Sequence, residues 1–304
     1  MEMMDEHHAP RLGDAPAGLA DFATLGPVHL DVIDGARSVG FWRDVVGLHL
    51  RGQDDAGIEL GTEDETLLVL HPGATSRVQR GFSGLYHVAL HLPDEPEFAR
   101  VLARLIERRW PVAPTDHVMS KALYLDDPDG IGLELALETP ERRRSVQMVD
   151  GGIVVIDAEG RRRSPTEPLD VEQLLSRLPD SDVERAVPPG TTVGHIHLHV
   201  GDLEAARRFY GDGIGLRQQM YLPQMRIADF DAGGRFPHRL ALNVWQGAGA
   251  PQRPAGTAGL HHYNIRFDTG GRLEAALQRL PNAAPHAGGV WVADPAGNRI
   301  LLTA

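Results

Sequence analysis

The chain contains no cysteine in its 304 residues. That absence excludes a disulfide scaffold, a cysteine–zinc site, an iron–sulfur cluster and a thiol nucleophile. No apolar run approaches the roughly 18–20 residues of a membrane span, so no membrane partner is expected. Nor is there a basic block. The nearest, Arg142–Arg144 and Arg161–Arg163, fall in a stretch that reads as a linker, and the balance is 30 basic against 42 acidic residues, net −12. No nucleic-acid partner is expected from that distribution. The first ten residues, MEMMDEHHAP, lack the basic and apolar regions of a signal peptide, which makes a cytoplasmic protein the expectation. Histidine, by contrast, is plentiful, with fifteen residues.

At about 100–200 residues per domain, this length predicts two domains. An internal repeat places them. Gly26-Pro27-Val28-His29-Leu30-Asp31-Val32 resembles Gly194-His195-Ile196-His197-Leu198-His199-Val200, and Gly84-Leu85-Tyr86-His87-Val88 resembles Gly259-Leu260-His261-His262-Tyr263. The turn Asp127-Pro128-Asp129-Gly130 returns as Asp294-Pro295-Ala296-Gly297. The division is therefore an N-terminal arm over 1–22, a first copy over 23–140, a linker over 141–190 and a second copy over 191–304. Each copy splits into two modules of strand, helix and three short strands. In the helix of module two, Phe98, Val101, Leu102, Leu105 and Ile106 repeat at helical spacing, an amphipathic stripe. The fold class is α+β, with four βαβββ modules paired into two tandem domains.

Strand alternation sorts the side chains. Val28, Leu30 and Val32 share one face, with His29 and Asp31 on the other; Val88 and Leu90 share one face, with His87, Ala89 and His91 on the other. Leu133, Leu135 and Leu137 likewise oppose Glu134, Ala136 and Glu138. The apolar faces belong under the helices, and the opposite faces line a concave surface. His29, His87 and Glu134 occupy comparable places there. Two imidazoles and one carboxylate are the set that binds non-haem iron facially, leaving positions for substrate and dioxygen.

These residues resemble the vicinal oxygen chelate superfamily, which includes glyoxalase I, bleomycin-resistance proteins and extradiol ring-cleaving dioxygenases. The resemblance covers both copies and is nearest to the two-domain catechol 2,3-dioxygenases. It implies ligands from the first strand of one module, the first strand of its partner and the last strand of that partner, hence His29, His87 and Glu134. The signature Tyr-x-x-Asp-Pro-x-Gly-x-x-x-Glu is met by Tyr124, Asp127, Pro128, Gly130 and Glu134. The resemblance further implies His71, sixteen residues before His87, as the acid/base histidine, with Tyr124 and His117 assisting it. It implies Fe(II), with Mn(II) as the other metal that the ligand set accepts. It also implies a catecholic substrate with O2, and a homo-oligomer.

In the second copy, Leu301 stands at the place of Glu134 and Trp291 at that of Tyr124, so that copy reads as a degenerate structural domain. Two other readings remain beside the dioxygenase. One is another metal-dependent isomerase or lyase of the glyoxalase type, which uses a fourth protein ligand from the last strand of the first module. Here that strand is Thr66-Leu67-Leu68-Val69-Leu70, which offers none. The other is a metal-free protein that binds a ligand in the cleft.

Overall fold

The computed structural model describes residues 21–149, 152–234 and 238–304. The expected arm over 1–22 lies outside the described residues except for its last two. The repeat is confirmed element by element. Module one comprises β1 (Ala23–Val32), α1 (Gly35–Gly40), β2 (His49–Asp54), β3 (Gly57–Gly61) and β4 (Thr66–Pro72). Module two comprises β5 (Gly84–His91), α2 (Glu95–Glu107), β6 (Ala113–Asp116), β7 (Ser120–Asp126) and β8 (Gly132–Glu138). The linker carries β9 (Arg143–Val149), β10 (Gly152–Asp157), β11 (Arg162–Arg163), β12 (Glu167–Pro168) and α3 (Val171–Leu175). Module three follows as β13 (Thr192–His199), α4 (Leu203–Arg208), β14 (Arg217–Leu222), β15 (Ile227–Asp231) and β16 (Leu240–Asn243). Module four is β17 (Gly259–Phe267), α5 (Gly270–Leu277), β18 (Ala284–His286), β19 (Gly289–Ala293) and β20 (Arg299–Thr303).

Local chemistry explains the helices. Asp34, Asp94 and Asp202 each accept a backbone N–H of the first turn, capping α1, α2 and α4. Both α1 and α4 run on into a π-turn, Phe41–Val46 and Phe209–Ile214, and stop at Gly47 and Gly215. Those glycines have φ of 97° and 96°, a left-handed conformation in which a Cβ is strained. On α2, Phe98, Val101, Leu102 and Leu105 are buried as the periodicity predicts, but Ile106 is 47% exposed. The apolar stripe is one residue narrower than the sequence pattern.

Two sheets result, and their strand order departs from the sequence-based division. One runs β18-β19-β20-β17-β1-β4-β3-β2, so module four joins module one. The other runs β12-β6-β7-β8-β5-β13-β16-β15-β14, so module two joins module three. The expected pairing of modules within each copy is thus corrected, because each sheet takes one module from each copy. The joints are the antiparallel pairs β1–β17 and β5–β13. Val28, Leu30, Val32, Val88, Leu90, Leu133, Leu135, Ile196 and Leu198 are all buried in the core.

The linker is tied down at several points. β12 pairs with the edge strand β6, and α3 packs on α2 with Leu174 buried. Arg100, fully buried, bonds to Asp180 at 2.6 Å. Arg104, also buried, donates to the carbonyls of Val46 and Val183, each at 2.7 Å, and to that of Arg185.

Two outcomes follow from these contacts. Phe98→Ala empties the middle of the core under module two and is expected to cost about 3–5 kcal/mol in a urea unfolding titration. The Arg100 guanidinium holds the Asp180 carboxyl down at about 2, below its ordinary value. A folded-state pKa lowered in this way gives stabilisation that is present above the ordinary carboxylate pKa and lost as pH falls toward 2. Hydrogen exchange over 178–187 should therefore be faster in Asp180→Asn than in the parent at pH 6, with the difference shrinking below pH 4.

Candidate metal centre

The β5–β13 joint brings three donors together. His87 stands on β5, Glu134 on β8 and His195 on β13. The Nε2 of His87 is 3.1 Å from Glu134 Oε2, that of His195 is 3.0 Å from the same oxygen, and the two Nε2 atoms are 3.1 Å apart. Among the described residues this is the set whose ligand atoms lie mutually close enough to hold a metal ion. All three are buried. The near-equilateral triangle can be tested against coordination geometry. With donor–metal bonds of about 2.1 Å, adjacent donors of an octahedron stand about 3.0 Å apart and those of a tetrahedron about 3.4 Å. The observed spacing fits one face of an octahedron, the arrangement of a facial two-histidine, one-carboxylate site.

Electrostatics prepare the donors. Burial alone would raise the Glu134 carboxyl, but the neighbouring His195 and His87 imidazoles hold it well below the usual carboxylate range. Burial pushes His195 well down. Glu134 is thus a carboxylate and His195 a neutral imidazole, the forms that ligate. Beside them, His238 bonds to Asp229 at 2.8 Å. Burial opposes its protonation, yet Asp229 raises it to about 9.

Strand register explains why His29 is not among the donors. His197 lies opposite His87 across β5–β13, and His29 lies opposite His262 across β1–β17. His29 is therefore the counterpart of His197. The counterpart of His195 in module one is Pro27, which has no donor. His29 instead sits on the other sheet, its Nδ1 2.9 Å from His71 Nε2 and its ring stacked on His262 at 3.7 Å. The expected His29 thus does not join His87 and Glu134; the histidine that stands with them in the set that could hold a metal is His195, and His71 goes with His29, away from His87. The place that His71 fills beside Asp31 is held in the metal-site sheet by Asn243, paired with His199. Asn243 bonds to His197 at 2.8 Å and His199 at 2.7 Å. Comparing His87-Val88-Ala89-Leu90-His91 with His195-Ile196-His197-Leu198-His199 aligns His195 with His87, a signal available in the sequence. The second copy, expected to be structural only, contributes one member of the set that could hold a metal. The reading of Leu301 and Trp291 holds in register. Leu301 pairs with Trp291 and Asn264 as Glu134 pairs with Tyr124 and Ala89.

Tyr124 and His117 stand at the centre's edge. The Tyr124 hydroxyl is 3.0 Å from His117 Nε2, with the Glu134 charge acting on it from the neighbouring strand. Burial and the Glu134 charge push its pKa up, so it remains a phenol. His117 Nδ1 is 2.7 Å from the Pro165 carbonyl, which can only accept. In the neutral ring, Nε2 is then free to accept from Tyr124. The linker, to which the sequence assigned no role, thus sets the tautomer of His117. A β-bulge in β5 adds Tyr86 to the same side, its ring 4.8 Å from that of His87 and 5.5 Å from that of Trp245. A cleft of about 750 Å³ opens here, lined by Arg77, Tyr86, His87, Trp110, Tyr124 and Leu133 among others.

The profile of the glyoxalase/bleomycin resistance protein/dioxygenase superfamily matches residues 24–135. A catechol-2,3-dioxygenase of Bacillus subtilis (strain 168) is 34% identical over 262 residues, covering 85% of this chain and 88% of the relative. The chain belongs to this superfamily. Among solved structures, a glyoxalase I variant from Zea mays superimposes with a TM-score of 0.55 at 16% identity, over 93% of this chain and 94% of that one. The cppA protein of Streptococcus pneumoniae gives 0.51 at 9% identity, over 94% and 99%. At these identities the two structures speak for the fold. Among the described residues, no helix is long and apolar enough to cross a membrane.

His195→Ala and Glu134→Ala should each abolish binding of one equivalent of Co(II), followed by its visible absorption. His29→Ala should bind Co(II) as the parent does.

Proposed function

We propose that the protein is an extradiol dioxygenase that opens a catechol ring with O2 at an Fe(II) centre held by His87, Glu134 and His195. The observation that carries this reading is the number and shape of the donor set. Three protein donors form one octahedral face, and the place where a fourth would stand is filled by Ala241. That place follows from the pairing: Glu134 lies beside Ala89, and Ala241 lies beside the equivalent His197. An alanine cannot ligate, so a four-ligand glyoxalase-type centre lacks its last donor. The strand offering that place is β16 rather than Thr66–Leu70. Three open positions suit a bidentate diol together with dioxygen.

Bound iron would lower the pKa of the catechol hydroxyls and bring the diol and O2 together. The chain's residues do the rest. The Tyr86 and Trp110 rings offer aromatic faces to a planar substrate in the cleft. Tyr124, kept protonated, has a single O–H, which His117 Nε2 accepts in the free cleft and which turns to a substrate oxygen once one is bound. His197 stands across the joint from His87, its ring 5.0 Å away. The Asn243 amide is oriented by the Trp245 N–H bonding to its Oδ1 at 3.0 Å, so its NH2 donates to His197 Nε2. Overall, one C–C bond beside the diol breaks and both oxygen atoms enter the product, a ring-opened semialdehyde acid. Tyr124→Phe is expected to keep its metal and lose about 10²–10³-fold in turnover, the span of one positioned hydrogen-bond donor.

The test is anaerobic purification, reconstitution with Fe(II), and exposure to catechol and air. A yellow product with one O2 consumed per ring, absent in Glu134→Ala, is the expected result. Manganese in place of iron giving the same product would reassign only the metal. Isomerisation of a thiohemiacetal without O2 uptake would replace this reading with the glyoxalase one.

A further inference from the structure

The residue just before the ligand His195 is Gly194, and it sits in a β-bulge. Across β5–β13, Val193 pairs with Leu90 and His195 with Ala89, leaving Gly194 as the extra residue. Its φ is not in the left-handed region, so the backbone alone does not require glycine. The space does. A Cβ built there would stand 1.9, 2.1 and 2.2 Å from Cδ2, Nε2 and Cγ of His91. The His91 imidazole lies flat on the bulge, 6% exposed. From there its Nε2 reaches His195 Nδ1 at 3.4 Å and Glu138 Oε1 at 3.3 Å.

The other joint strand is built differently. Its bulge residue, before His87, is Tyr86, whose ring turns outward to the cleft. The counterpart of His91 on β13 is His199, which bonds to Asn243 and Gln246. Only the His195 side has a glycine with an imidazole pressed over it.

We propose that His91 is a positioning residue for the metal: seated on Gly194, it takes the Nδ1–H of His195 and fixes the direction in which His195 Nε2 presents its lone pair. A histidine that ligates through Nε2 carries its proton on Nδ1, and that proton needs an acceptor. Such partners orient the ring and strengthen it as a donor. Most are carboxylates or carbonyls; here the acceptor is an imidazole, and the Glu138 carboxyl lies beside the same Nε2. This role of His91 presupposes that His87, Glu134 and His195 are the metal donors.

The experiment titrates the full-length apo-protein with Co(II) and reads the affinity, the visible spectrum and the thermal midpoint of the apo-form. His91→Phe, which fills the space but accepts no hydrogen bond, should bind Co(II) 10–100-fold more weakly, the usual effect of losing such a partner, with an altered spectrum. His91→Gln should recover part of the affinity. Gly194→Ala should weaken binding similarly, and Gly194→Ala combined with His91→Ala should be no worse than His91→Ala alone, because the clash has gone. Affinity within threefold of the parent in His91→Phe overturns the proposal. So does a Gly194→Ala penalty that persists when His91 is removed. A parent protein that binds no Co(II) overturns the metal reading itself, a separate and recognisable result.

Discussion

The structure of the centre depends on one backbone pairing, β5 against β13. It sets His87 opposite His197 and His195 opposite Ala89, and Ala89 in turn lies beside Glu134. The three donor atoms then converge at 3.0–3.1 Å without any long side chain having to reach. A slip of one residue would turn His195 to the helix-covered face and Ile196 to the cleft, since alternate residues face opposite ways. The two bulges in this joint matter as much as its register. One gives His91 room behind His195, and the other adds Tyr86 to the face of the cleft.

The two sheets show what the same architecture becomes when individual donors are exchanged. In the sheet of modules one and four, Pro27 replaces the histidine, Leu301 the glutamate and Trp291 the tyrosine. What remains is an imidazole cluster, His29 with His71 at 2.9 Å and His261 with His262 at 2.6 Å, beside the ion pair of Asp31 and Arg253. Burial lowers His29 to about 3 and His262 to about 2, so these rings are neutral and can hydrogen-bond to one another without a counter-charge. The carboxylate of this face, Asp31, pairs beside His71 and is held by Arg253 instead of standing at the place of Glu134, so the octahedral donor set of the counterpart is not reproduced.

The linker joins fold and site. Its strand β12 extends the metal-site sheet, and its Pro165 carbonyl fixes the proton on His117. Through Arg100 and Arg104 it is also fastened to α2, the helix that covers modules two's apolar face. Buried arginines of this kind hold the segment by several hydrogen bonds each, satisfying carbonyls that would otherwise be left without donors.

The repeat, the βαβββ modules, the buried strand faces and the signature from Tyr124 to Glu134 were all legible in the sequence, because they depend on periodicity and local turn chemistry. His87 and Glu134 follow from those patterns together with the resemblance. The choice of His29 over His195 failed for a physical reason. All four first strands carry the same alternation, and the hydrogen bonds that join two of them are made by backbone atoms that carry no residue identity. Nothing local states that module two pairs with module three rather than with module one. That choice belongs to the tertiary structure, which decides the strand neighbours and, with them, which histidine completes the centre.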